Sequence, residues 1–154
     1  MIKAFRIVQK KWAGSAFDGE GARLYGGRWN NKGIPCVYLA GSESLAILEI
    51  LVHLDKSSVL EHYTIFEFEF DKSDLLVLEN KDLPINWQED PAPDETASLG
   101  DDWLNSASSL ALKVPSTIVP REFNYLVNVR HKAFSAALSS VRELSLELDP
   151  RLRK

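Results

Sequence analysis

Cysteine is nearly absent from this chain of 154 residues: Cys36 stands alone, so no internal disulfide can form. Its neighbours Ile34, Val37 and Leu39 are apolar, which reads as a buried small hydrophobe. Sparing use of thiols fits a reducing, cytoplasmic compartment. No apolar run approaches the ~18 residues of a membrane span. The opening residues, Met1-Ile2-Lys3-Ala4-Phe5-Arg6, carry no apolar stretch leading to a small-residue cleavage site, so no secretory signal is expected. Clustered positive charge is missing as well. The net charge is −4, and the local basic runs are Lys10-Lys11 and Arg151 to Lys154, near the termini. Nonspecific nucleic-acid binding needs Lys and Arg gathered into a patch. Direct contact with nucleic acid or membrane is therefore not expected.

What remains is an ordinary globular composition, 45% apolar and 26% charged. The length suits one domain, residues 1–154, burying roughly 70% of its unfolded surface. Alternation over 2–8 predicts a strand. Residues 9–33 hold six of the eight glycines and read as a long loop, the kind that in compact domains carries function. Pro35 to Ala40 is a short apolar run suited to a buried strand. Ser42 can cap a helix from about Glu43 to Leu54, apolar nearly all round and so expected to be buried on several sides. His62 to Asp71, with Thr64, Phe66, Phe68 and Phe70 on one parity, is the clearest half-buried strand. Further expectations are a strand near 75–78, a loop over 79–95 and a helix from about Asp101 to Leu112. Strands over Val114–Val119 and Val141–Leu148 and a short helix over 131–138 complete the reading. Strands outnumber helices without regular βαβ alternation, so the predicted class is α+β, one compact domain on a mixed sheet.

Three clusters carry chemistry. In Gly26-Gly27-Arg28-Trp29-Asn30, two residues without Cβ allow close approach to the backbone. The arginine fork beside them suits phosphate or carboxylate, and the indole offers a flat face. Glu49 and His53 are the polar side chains of the stretch 45–54, one turn apart. They form either a narrow solvated stripe or the wall of a cleft. Glu-x-x-x-His supplies two metal ligands and His62 and His131 stand alone, so no metal is expected. In residues 114–128, Ser116 lacks a Gly-x-Ser-x-Gly setting and reads as a hydroxyl hydrogen bonder or as a polar residue beside a proline, not a nucleophile. Asn124 and Asn128, by themselves, read as turn or backbone-bonding amides.

Five motifs in order resemble the RES-domain toxins, the toxin half of bacterial Xre–RES toxin–antitoxin modules. They are Gly27-Arg28-Trp29-Asn30, Val37-Tyr38-Leu39-Ala40, Leu48-Glu49-Ile50-Leu51-Val52-His53, Gly100-Asp101-x-Trp103-Leu104, and Val114-Pro115-Ser116-x-x-Val119-Pro120-x-x-x-Asn124-Tyr125-Leu126. The family is named for an Arg, a Glu and a Ser, matching Arg28, Glu49 and Ser116. One departure is Asn128-Val129-Arg130-His131-Lys132, where the family pattern Asn-Pro-x-His-Pro has two prolines; this puts the local turn in question.

The resemblance implies a fold related to ADP-ribosyltransferases and an activity that consumes NAD as substrate, with no separate cofactor, by breaking the nicotinamide–ribose bond. Water or phosphate would be the acceptor. The alternatives are ADP-ribosyl transfer to a protein, and an NAD- or partner-binding module without turnover. It further implies Arg28, Glu49 and Ser116 as the catalytic set. Gly27, Arg28, Tyr38, Ser116 and Asn124 would hold substrate. Partners would be a cognate Xre-type antitoxin and a second copy of the chain in a homodimer.

Overall fold

The computed structural model describes residues 1–152, with Ser57 and Ser58 described by their backbone alone; Arg153 and Lys154, the end of the terminal basic run, lie outside that range. The strands are β1 (Ile2–Gln9), β2 (Val37–Ala40), β3 (Tyr63–Phe70), β4 (Leu75–Val77), β5 (Ala111–Pro115), β6 (Phe123–Val127) and β7 (Arg142–Leu144). The α-helices are α1 (Glu20–Tyr25), α2 (Glu43–Leu51), α3 (Asp94–Ser106) and α4 (Phe134–Leu138). The strands form one sheet in the order β4-β5-β6-β2-β1-β3-β7. The β4–β5 pair is parallel and the others antiparallel, so the α+β expectation with a mixed sheet holds.

Register explains both faces. Phe66, Phe68 and Phe70 share a parity of β3, and with Ala4, Val37, Leu39, Tyr125 and Val127 they build a core on one face. Phe17, from the glycine-rich segment, stacks on Phe68 with ring centroids 5.6 Å apart. Each such fully buried large side chain contributes roughly 1.5–3 kcal/mol. The opposite face carries two separate clusters. One, under α2, holds Ile7, Ala40, Leu45, Ala46 and Ile65. The other, under α3, holds Trp29, Cys36, Trp103, Leu112, Val114 and Leu126. Cys36 is buried as expected, and desolvation pushes its thiol up to about 12.

Near its middle the sheet is nearly split. β1 pairs with β3 along eight residues but with β2 only at Phe5↔Ala40. The buried Arg6 guanidinium spans the divergence, donating from Nη1 to the Tyr38 carbonyl (3.0 Å) and from Nε to that of Ala16 (2.7 Å). Desolvation lowers the pKa of this guanidinium, and Asp18 partly offsets the effect.

Several elements differ from the sequence reading. Residues 9–33 are not continuous loop: a 3-10 turn occupies Lys10–Ser15, and α1 follows. α3 begins seven residues earlier than expected and stops at Ser106, because Ala107 turns left-handed (φ 50°). Pro93-Asp94-Glu95 was the overlooked start signal, with acids in the first turn against the helix dipole. Ala111 and Leu112, expected at the helix end, instead open β5, which leaves the sheet at Pro115. β6 was not foreseen, and β7 is three residues long instead of eight. The Ser42 cap on α2 is as expected, its Oγ accepting from the Leu45 amide at 3.1 Å. α2 itself ends at Leu51 and is buried on one side only: Leu48 and Val52 are 42% and 60% exposed.

Candidate functional site

The β5–β6 hairpin sets the geometry. The Ser116 amide donates to the Glu122 carbonyl (3.0 Å) and the Glu122 amide to that of Val119 (2.8 Å), closing the connection between the strands. Val114 pairs with Asn124, and Asn124 pairs across β6–β2 with Ala40. Directly opposed residues share a sheet face, so Asn124 lies on the face covered by α2. There it meets Glu49, near the C-terminal end of that helix.

These three residues form one closed network. The Ser116 hydroxyl, fully buried, accepts from the Ile118 and Val119 amides at 3.1 Å each. With its lone pairs so used, its proton goes to Glu49 Oε1, 2.6 Å away. The Asn124 side-chain amide donates to the same oxygen from 2.8 Å. Glu49 Oε2 has no protein partner among the described residues, and the Glu49 side chain is half-buried. The carboxylate is therefore held in a side-chain network and does not stand free on a solvated stripe. His53 lies beyond the helix end, exposed, and takes no part. Ser116 is the hydrogen bonder that one sequence reading proposed. Asn124 is not a turn amide: it stands within a strand and its side chain serves Glu49.

A second group surrounds Tyr38, whose register partner is Leu126, two residues along β6 from Asn124. Such diagonal neighbours on one face lie roughly 7–8 Å apart, which sets the two groups side by side. The Tyr38 hydroxyl donates to Asn30 Oδ1 (2.6 Å) and accepts from the Trp29 amide (3.1 Å). Burial raises its pKa well above the usual phenol value. A Cβ on Gly27 would lie 2.7 Å from that hydroxyl, so the close approach Gly27 permits is to Tyr38. Arg28, next along, donates from Nη1 to the carbonyls of Trp87 (3.0 Å) and Glu89 (2.7 Å). Its Nε and Nη2 have no protein partner among the described residues. Arg28 thus fastens the 84–93 segment while keeping part of its fork available. The structure brings Glu49, Ser116 and Asn124 into direct contact, and Gly27 and Tyr38 likewise; it shows no bond from Arg28 to the Glu49 network.

Sequence reasoning missed what holds this loop. Asn30 is buried and donates to the Ala22 and Asn31 carbonyls. Asp101 takes the Asn31 amide and side chain at 3.0 and 2.7 Å. The buried Thr96 hydroxyl lies 2.7 Å from the Arg28 carbonyl. Gly100 packs so closely that a Cβ would fall 1.5 Å from the Trp29 carbonyl oxygen. The Gly-Asp-x-Trp-Leu motif was legible, but its role as a clamp on residues 28–31 was not. The questioned turn at 128–132 is intact. Asn128 Oδ1 accepts from the Arg130 amide and His131 Nδ1 from that of Ala133, both at 3.0 Å. Positions 129 and 132, proline in the family pattern, donate none of the turn's bonds.

Two hollows mark the surface, and neither is lined by Glu49, Ser116 or Asn124. A hollow of about 420 Å³ lies between the Gly26-Gly27 turn and the start of α3, at Pro93, Asp94 and Ala97. A larger one, about 590 Å³, lies apart, at Gln9, Lys10, Lys11 and His62. Among the described residues, no group of three or more His, Cys, Asp or Glu is arranged to hold a metal ion. No described helix is long and apolar enough to cross a membrane.

Comparison with known proteins agrees with the order of these motifs. The RES domain family matches residues 3–149. Toxin Res of Yersinia enterocolitica is 50% identical over 149 residues, covering 97% of this chain and 98% of the relative. Toxin Res of Photorhabdus laumondii is 38% identical over 151 residues, covering 97% and 96%. The Prs ADP-ribosylating toxin of a Sphingobium species is 39% identical over 117 residues, covering 74% and 73%. The fold is similar to a chain in the crystal structure of the M. tuberculosis MbcT–MbcA toxin–antitoxin complex. That likeness has a TM-score of 0.71 at 19% identity and covers 98% of this chain and 86% of that one. With the family match running along nearly the whole sequence and two relatives aligned almost end to end, the chain belongs to the RES-domain family.

Proposed function

We propose that this protein is the toxin of a toxin–antitoxin module and that it degrades NAD by cleaving the bond between nicotinamide and ribose. The observation that carries this reading is the Glu49 carboxylate, one oxygen fixed by Ser116 and Asn124 and the other without a protein partner among the described residues. Breaking the C1′–N bond returns its electron pair to the pyridinium nitrogen, and nicotinamide leaves neutral. No general acid is required. Positive charge develops on the ribose, and a fixed carboxylate is suited to stabilise it without reorganising at the moment of reaction. Water or phosphate then supplies an oxygen to C1′ and loses a proton to solvent, giving ADP-ribose or its phosphate ester.

The free edge of Arg28 would engage the pyrophosphate through charge-assisted hydrogen bonds. Tyr38 would meet the nicotinamide through its ring, since its hydroxyl is occupied. Ser116, fully buried, would act by holding Glu49. A fold related to ADP-ribosyltransferases accommodates this assignment. A cognate antitoxin of the Xre type, a homodimeric toxin and a cytoplasmic setting complete the proposal.

The test is nicotinamide release from NAD by purified protein. Glu49→Gln keeps the shape and removes the charge. The expected loss is on the order of 10²–10³-fold, as for other fixed electrostatic groups, and an undiminished rate would refute the assignment. Phosphorus NMR with and without inorganic phosphate identifies the acceptor. A second reading, transfer of ADP-ribose to a protein, is favoured by the likeness to the Sphingobium toxin. It requires labelled NAD to leave covalent label on a target. Binding of NAD without nicotinamide release would instead indicate a non-catalytic module.

A further inference from the structure

Asn124 has one polar atom that the fold leaves unused. Its Oδ1 is buried and without a hydrogen-bond partner, the one such side-chain atom among the described residues. Leaving a buried acceptor unmatched is costly, so the residue needs a reason to be there. Turning the amide over offers no escape: it would set Oδ1 against Glu49 Oε1, where Nδ2 now donates at 2.8 Å. Ser116 cannot help either, because its proton is directed to Glu49 and its lone pairs face the 118 and 119 amides. The orientation of Asn124 is therefore dictated by the network. Its carbonyl oxygen and Glu49 Oε2 are two acceptors with no protein donor among the described residues.

An unpartnered acceptor beside a fixed carboxylate selects a ligand that brings hydroxyl donors. We propose that Asn124 Oδ1 accepts a hydrogen bond from a hydroxyl of the ribose whose glycosidic bond is cleaved, so that Asn124 both aims Glu49 and reads the sugar. This rests on the NAD-cleaving reading above. The ribose hydroxyls are the chosen donors because Glu49 has to face C1′ to stabilise its charge. A group bonded to the same carboxylate then meets the sugar before it meets the nicotinamide amide on the far side of C1′.

The test is a cycle between residue and substrate. NAD and its analogues lacking the 2′- or the 3′-hydroxyl of the nicotinamide ribose are compared as substrates for the unaltered protein, Asn124→Ala and Asn124→Asp. One missing hydroxyl should cost the unaltered protein roughly 10-fold or more in kcat/KM. With Asn124→Ala that same analogue should be cleaved within about 2-fold of NAD, because the acceptor is gone. Asn124→Asp keeps an oxygen toward the sugar but opposes Glu49; it should be slow on every substrate yet still discriminate against the deoxy analogue. Equal penalties in all three proteins would overturn the proposal and leave Asn124 acting through Glu49 alone. Loss of discrimination only against an analogue altered at the nicotinamide carboxamide would overturn it too, in favour of that donor. If the unaltered protein releases no nicotinamide from NAD, the parent reading fails and this one with it. Circular dichroism and thermal melting of both variants separate a folding defect from loss of recognition.

Discussion

A serine hydroxyl with three hydrogen-bond partners cannot be replaced quietly. Ser116 takes two backbone amides and gives its proton to Glu49, so alanine there would strand two half-buried amide donors and free one carboxylate oxygen from half of its restraint. Ser116→Ala should cost about 2 kcal/mol of stability, read by urea denaturation. It should also slow NAD cleavage by roughly 10-fold or more, since a carboxylate that must reorient forfeits part of its electrostatic advantage. Loss of stability with an undiminished rate would confine Ser116 to the hairpin. The residue type and its order after Arg28 and Glu49 were legible in the sequence. Its carboxylate partner was not, because Ser116 and Asn124 lie 67 and 75 residues from Glu49 and meet it only through the registers of β6 on β2 and β5.

Between elements, the decisive contact is α3 against the Arg28–Asn31 loop. Gly100 lies in a helix, where glycine is worse than alanine by about 1 kcal/mol on propensity alone. That preference should be reversed here, because any Cβ would overlap the Trp29 carbonyl. Gly100→Ala should destabilise the protein by about 3 kcal/mol, the upper range for overpacking, in thermal or chemical denaturation. A stabilised variant would mean that α3 and the loop are not in this contact. The boundaries of α3 show why helices were harder to place than strands. Apolar spacing over 103–112 fits a helix, yet the left-handed turn at Ala107 diverts Ala111 and Leu112 into the sheet. The alternation in β3, by contrast, is strong enough to fix its face, and the strand lies where it predicts.

At the scale of the whole molecule, charge ties the sheet edge together. The buried Glu67 carboxylate receives the Arg142 guanidinium of β7, with Lys3 of β1 at 3.6 Å. The hydrogen bond from Arg142, then its charge and that of Lys3, hold the Glu67 carboxyl below its ordinary 4.5, against desolvation. Below that ordinary value the unfolded chain binds the proton more readily than the folded one. The stabilisation is therefore present above about pH 4.5 and is lost as pH falls through the depressed folded value. Arg142→Met removes the largest contribution, so acid unfolding followed by circular dichroism should begin at higher pH than in the unaltered protein. An unmoved midpoint would show that the β3–β7 edge does not govern acid stability.

Composition and local pattern by themselves determined the class of molecule, the phenylalanine face of β3, the capped start of α2, the burial of Cys36 and the motifs that identify the family. These follow from short-range chemistry: side-chain alternation, a serine before a helix, apolar neighbours. Only the tertiary structure decided that Glu49 is clasped by Ser116 and Asn124, that Gly27 makes room for Tyr38, and that Gly100 and Asp101 hold the arginine loop. Each of those contacts joins segments far apart in the chain through strand register and close packing, and register is a property of the assembled sheet that no single stretch of sequence contains.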